Sequence, residues 1–170
     1  GRGKTTAAIY AMNALNAVHV EALPLGGVKG LLRMIVEELG LKPKRTAEDL
    51  FMQAAEDLGR TGRPLIIDEA DHILTDRSIE IVRRLHDTSG APVILMGEEA
   101  LPQKLVRWER VHGRMLSWVG MEEATRDDVD HLAKIYARGL TLGQDLKDKL
   151  LRASRGSIRN VSTNLSHVRE

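Results

Sequence analysis

Two short runs carry the chemistry of this chain. The first is Gly1-Arg2-Gly3-Lys4-Thr5-Thr6. Its makeup is that of a phosphate cradle: glycines let backbone N–H groups close round an anion, a lysine reaches the β and γ oxygens, and a hydroxyl ligates magnesium. Gly1, Gly3, Lys4, Thr5 and Thr6 are the expected nucleotide contacts. The second run is Leu65-Ile66-Ile67-Asp68-Glu69-Ala70-Asp71, an apolar strand ending in acids. Asp68 there suits a metal shared with Thr5, and Glu69 suits a carboxylate that polarises the attacking water. In this order the two runs make up most of a site for ATP and Mg2+. The plainer alternative for the two acids is a solvated strand end.

The opening is the tail of its motif. The full pattern has a glycine five residues before Gly3 and a buried strand before that. The sequence therefore reads as a piece of a longer chain.

The acidic run also spells Asp-Glu-Ala-Asp, a helicase tetrapeptide. The helicase reading fails on spacing and on the residues after the next strand, which are Gly97-Glu98-Glu99 rather than Ser-Ala-Thr.

Elements must hold these runs in place. The composition suits one compact domain or a core with a small lid: 170 residues, 42% hydrophobic, only 3% aromatic. So few aromatics argue against base-stacking platforms for single strands. A net charge of +1 means that any nucleic-acid contact must use a local patch. With no cysteine there is no disulfide, thiolate metal site or thiol nucleophile. No apolar run reaches membrane-spanning length. The cytoplasm of a bacterium or phage-infected host is the expected location.

Apolar spacing predicts a helix from Thr5 to Leu15, a strand over Ala17–Glu21 and a helix over Val28–Leu39. Thr46 and Asp49 resemble a capping box that starts the next helix. A buried strand covers Leu65–Asp68, a helix Ser78–His86, and another buried strand runs from Pro92 to Gly97. After Pro102 the chain reads as one helix to His112, then as a last strand from Met115 to Met121. Three helical stretches follow, over 126–138, 143–154 and 157–168. Strands alternating with helices imply a three-layer αβα core with a parallel sheet, and the all-helical tail implies a lid. The expected boundaries are 1–121 for the nucleotide-binding core and 122–170 for the lid.

Lys104, Arg107, Arg110 and Arg114 recur at three, three and four, which on one helix makes a cationic face. Such a face is either solvated or a source of an arginine finger for a neighbouring subunit, with Arg114 the best placed. Arg159, in Gly156-Ser157-Ile158-Arg159, is a candidate lid cation, with Arg152 and Arg155 as competitors. Lys29, Arg33, Lys42, Lys44 and Arg45 form the densest basic cluster: a phosphate-contacting surface or a solvated connector. The six histidines are scattered without metal-ligand spacing and read as structural or surface residues.

This order of motifs resembles the AAA+ ATPases. Pro92 to Leu101 and Gly113-Arg114 are most similar to the DNA-transposition proteins of the phage Mu B and Tn7-type C kind. The resemblance implies a protein that assembles with ATP into rings or helical filaments on double-stranded DNA, without sequence preference, and presents that DNA to a transposase. Hydrolysis would take the assembly apart. It implies Lys4 as the phosphate lysine, Thr5 as the magnesium hydroxyl, Asp68 as the metal carboxylate and Glu69 as the residue that orients water. Arg114 would act in trans and Arg159 would sense the nucleotide from the lid. Two departures stand out. Glu98 occupies the first-sensor position, where a neutral polar residue is usual and an acid repels phosphate. The first strand, normally central in a 5-1-4-3-2 sheet, is missing. Rival readings are a nucleotide-gated protein-interaction switch with little DNA binding, and a helicase loader or replication initiator.

Overall fold

The computed structural model describes residues 3–139 and 141–168. The chain divides into two compact units, Thr5–Trp118 and Val119–Glu170, the second including Gly1–Lys4.

The first unit is built on three parallel strands in the order β1 (Val18–Glu21), β2 (Leu65–Asp68), β3 (Val93–Leu95). Val18 lies opposite Leu65 and Glu21 opposite Asp68; Leu65 in turn lies opposite Val93. Helices α1 (Lys4–Leu15), α2 (Gly27–Glu38), α3 (Ala47–Thr61) and α4 (Asp76–Ser89) surround the sheet. This is the expected α/β architecture with a parallel sheet. β2 is buried at all four residues, as a central strand of a parallel sheet must be.

Strand alternation divides the sheet into two faces. Val18, Val20, Leu65 and Ile67 join the main core with α2, α3 and α4. Ile66 points the other way, onto Ala8 of α1 and Ala17. α2 buries Leu31, Leu32, Ile35 and Val36, one stripe at helical spacing. α3 begins where Thr46 accepts the Asp49 N–H at 3.0 Å and ends at Gly62, whose φ of 65° lets its N–H reach the Leu58 carbonyl. Thr75 and Gly90 do the same for α4.

Two expectations fail after β3. The single helix to His112 is instead two short ones, α5 (Leu101–Leu105) and α6 (Glu109–His112). The break is held at Trp108, whose Nε1–H donates to Asp76 at 2.8 Å while Arg107 stacks 3.9 Å over its ring. Lys104, Arg107, Arg110 and Arg114 therefore do not share one helix face. The Met115–Met121 strand is also absent. An apolar run becomes a strand only when a neighbour completes its ladder, and among the described residues none pairs with it. Leu116 and Val119 are exposed, and β3 remains a sheet edge with Ile94 40% exposed.

The second unit holds α7 (Arg126–Tyr136), α8 (Gln144–Ser154) and α9 (Ile158–Val168). Thr125 and Asp128 form a full capping box at the start of α7. Val129, Ala133, Leu150, Val161 and Leu165 make its core. Buried Lys147 is paired with Asp130 at 2.7 Å. Between α8 and α9, Gly156 has φ 68°, and a Cβ there would lie 2.6 Å from Glu123.

Candidate functional site

The two sequence runs meet. The Thr5 hydroxyl, in the first turn of α1, donates to Asp68 Oδ2 at 3.1 Å, 63 residues away in the chain. Asp68 ends β2 and is 4% exposed. Its other oxygen, Oδ1, accepts the Glu69 N–H at 2.8 Å. Lys4 opens α1 and is partly buried; Thr6 is exposed beside Thr5. Gly3 precedes the helix with φ 85° and open space at its missing Cβ, so the glycine is there for backbone conformation. The N–H groups at a helix start favour an anion. Gly1 lies outside the described residues.

Glu69 takes the left-handed conformation, φ 51° and ψ 39°, which is unusual for a residue with a side chain. The chain thus turns sharply as β2 ends. The Asp68 side chain stays inside, the Glu69 side chain faces solvent, and Ala70 N–H returns to the Met96 carbonyl at the end of β3.

The pair Thr5 and Asp68 suits a hard divalent cation: both offer oxygen, and the carboxylate is shielded from bulk water. Among the described residues no group of three His, Cys, Asp or Glu could hold a metal unaided. Such a cation must complete its shell with water and phosphate, as Mg2+ commonly does. A buried histidine nitrogen with no partner, His19 Nε2, lies 3.9 Å from Asp68 Oδ2.

A neighbouring cluster escaped the sequence reading. Asp71 Oδ2 accepts the Glu98 N–H at 2.7 Å, Asp71 Oδ1 accepts from Lys104 Nζ at 2.6 Å, and Lys104 also reaches Glu98 at 3.1 Å. Burial pushes the Asp71 carboxyl up, but the Lys104 hydrogen bond, the Glu98 N–H and the Lys104 charge outweigh it and hold it below its ordinary value. The same contacts raise Lys104. A Cβ on Gly97 would lie 2.3 Å from Asp71 Oδ2. Glu98 is therefore not a bare acid: Lys104 offsets it and Asp71 fixes its backbone. Only long-range geometry reveals this, since Asp71, Gly97 and Lys104 form no local pattern.

The other candidates lie apart. Arg114 follows α6 and is tied within its own chain, with Nε to Asp87 Oδ1 at 2.7 Å and Nη1 to the Arg110 carbonyl at 2.7 Å. The Arg114 hydrogen bond holds Asp87 below its ordinary carboxylate value. Arg83 binds the same Asp87 and also Glu80, bringing Glu80 down to about 2. Lys29 and Arg33 are exposed on α2, Arg33 paired with Glu37 at 2.9 Å. Lys42, Lys44 and Arg45 follow in the loop beyond that helix, which Gln53 clamps from α3. The sequence cluster is thus strung from the first turn of α2 to past its far end. Arg159 is exposed in the first turn of α9, within the second unit.

No curated protein matches the chain. Among solved structures it is similar to the Orc1 protein of Aeropyrum pernix, solved in complex with DNA. The TM-score is 0.65 at 16% identity, over 95% of this chain and 49% of that one. That likeness is one of fold, and the chain spans about half the length of that protein. A family model described as AAA domain matches residues 1–105, which include the phosphate run, the whole sheet and the acidic strand end. The chain belongs to the AAA domain family.

Proposed function

We propose that this chain is a DNA-dependent ATPase that assembles on duplex DNA with ATP and delivers that DNA to a transposase. The observation that carries the ATPase part is the Thr5–Asp68 hydrogen bond, which joins a phosphate-binding helix start to a buried strand-end carboxylate. Residues 1–121 act as the nucleotide-binding core and 122–170 as the lid.

Lys4 and the first N–H groups of α1 bind the phosphates. Thr5 and Asp68 would hold Mg2+, which when bound neutralises phosphate charge. Glu69, solvent-facing beside Asp68, orients the attacking water. Arg114 supplies a cation to a neighbouring subunit's site after leaving Asp87, and Arg159 reports nucleotide state from the lid. The DNA contacts are Lys29, Arg33, Lys42, Lys44 and Arg45, to phosphates and hence without sequence preference.

A second reading, an initiator or helicase loader, draws on the likeness to Orc1, which also supports a DNA-bound role. The two share ATP and duplex DNA and differ in partner. A transposase gene beside the locus favours the first.

The test is ATP turnover of the protein with and without duplex DNA, alongside electron microscopy of both samples. Stimulated turnover with filaments or rings on DNA is expected. Turnover indifferent to DNA would favour a nucleotide-gated protein switch. Lys29→Ala removes one phosphate-neutralising charge, so it should shallow the plot of log affinity against log salt by about one unit.

A further inference from the structure

Among the described residues, the buried side-chain polar atom left without a hydrogen bond is His19 Nε2. Its position follows from strand register. His19 lies opposite Ile66, and Glu21 opposite Asp68. His19 and Asp68 are thus diagonal neighbours on the α1 face of the sheet, while Val18 and Val20 turn into the main core. Nothing in strand packing asks for an imidazole there: an aliphatic residue would fill the row beside Ile66 without stranding a nitrogen.

Nε2 stands 3.9 Å from Asp68 Oδ2, the same oxygen that takes the Thr5 hydroxyl. That distance is too long for a direct hydrogen bond and suits two groups that share a third partner. Cations of the Mg2+ type keep several waters, and groups just outside the ligand shell tune how tightly they are held.

We propose that His19 is a positioning residue of the nucleotide–metal site, its Nε2 accepting a hydrogen bond from water of hydration that a divalent cation brings to Asp68. The inference rests on the proposed binding of nucleotide and metal at Thr5 and Asp68. As an acceptor, Nε2 requires the tautomer with its proton on Nδ1. The unpaired nitrogen then has a cause: it stays open so that it can meet the hydrated ion.

The experiment titrates Mn2+ into the full chain with a non-hydrolysable ATP analogue, read by electron paramagnetic resonance. His19→Leu should weaken Mn2+ binding about 10-fold and leave metal-free analogue affinity unchanged. Its ligand-free Tm should be equal or higher, because the unpaired nitrogen is gone. His19→Gln, which keeps a polar acceptor, should recover most of the loss. If His19→Leu does not fold, His19→Asn carries the same expectation of weakened Mn2+ at normal Tm, its side chain being too short to reach. Wild-type Mn2+ affinity in the folded Leu or Asn variant overturns the proposal. So does a Gln variant as weak as the Leu variant, which would indicate packing alone. Wild-type protein that binds the analogue without regard to Mn2+ overturns the site reading itself, and that curve alone tells the two failures apart.

Discussion

The two faces of one small sheet are unlike. Against the first, helices α2, α3 and α4, joined by α5 and α6, pack a continuous core that takes in Val18, Val20, Leu65 and Ile67. Against the second, among the described residues of the same unit, lies α1, with Ala8, Ala17 and Ile66 as its buried cluster. α1 leaves Ile9, Tyr10 and Leu15 largely exposed. Yet Thr5, Asp68 and His19 all belong to this thinner face. The difference teaches where a fold can keep polar groups. A face filled by interlocking aliphatics has no room for a carboxylate, whereas small alanines under a single helix leave depth for one. Regions with fewer apolar contacts also open more readily, which suits ligand entry.

The sharpest way to break this comparison is to change chemistry without changing packing. Glu69→Gln removes the exposed carboxylate beside Asp68. Turnover should fall by a factor of about 100 or more, with ATP binding and Tm preserved. Wild-type turnover in that variant would remove Glu69 from the mechanism.

The next test sets neighbours against each other. Ile66 and Ile67 are equally buried but face opposite ways. Ile67→Ala should cost about 4 kcal/mol and Ile66→Ala about 2 kcal/mol, the upper part and the lower end of the range for such truncations. Urea unfolding of both variants measures the difference. Equal costs would mean the α1 face is no thinner in energy than the other.

A smaller effect lies on the outer side of α4. Glu80 is lowered from 4.5 to about 2, chiefly by its hydrogen bond with Arg83. A depressed carboxylate stabilises the fold above its ordinary pKa, and that contribution is lost as pH falls toward 2. Tm of the wild type should therefore fall more between pH 4.5 and 2 than Tm of Glu80→Gln. The gap should be modest because the group is solvent-screened. Parallel curves would show that the pair adds nothing.

Local patterns made most of this architecture legible. Leu65–Asp68 reads as a buried strand because three large aliphatic residues run into an acid at a turn, and it is that strand. The cap at Thr46 is written in its own spacing. Residue type alone singles out the two runs that the Thr5–Asp68 contact joins. What escaped depends on partners far along the chain. The split between α5 and α6 is fixed by Asp76 holding Trp108, a contact that no helical periodicity encodes. Met115–Met121 has the composition of a strand but no ladder to join. No local pattern marks the approach of His19 to Asp68, because the two come from different strands.

Gly97 shows how a residue without a side chain can become irreplaceable. Asp71 is short, half-buried and held by both Lys104 and the Glu98 N–H, so it cannot swing aside for a methyl group 2.3 Å from its oxygen. Leu101 closes the other side, 2.9 Å from the same methyl. Even alanine would pry apart the tie between the ends of β2 and β3. In an exhaustive survey of substitutions, this position would look as intolerant as one that touches ATP. Its intolerance would mark the frame that holds the strand-end acids in line.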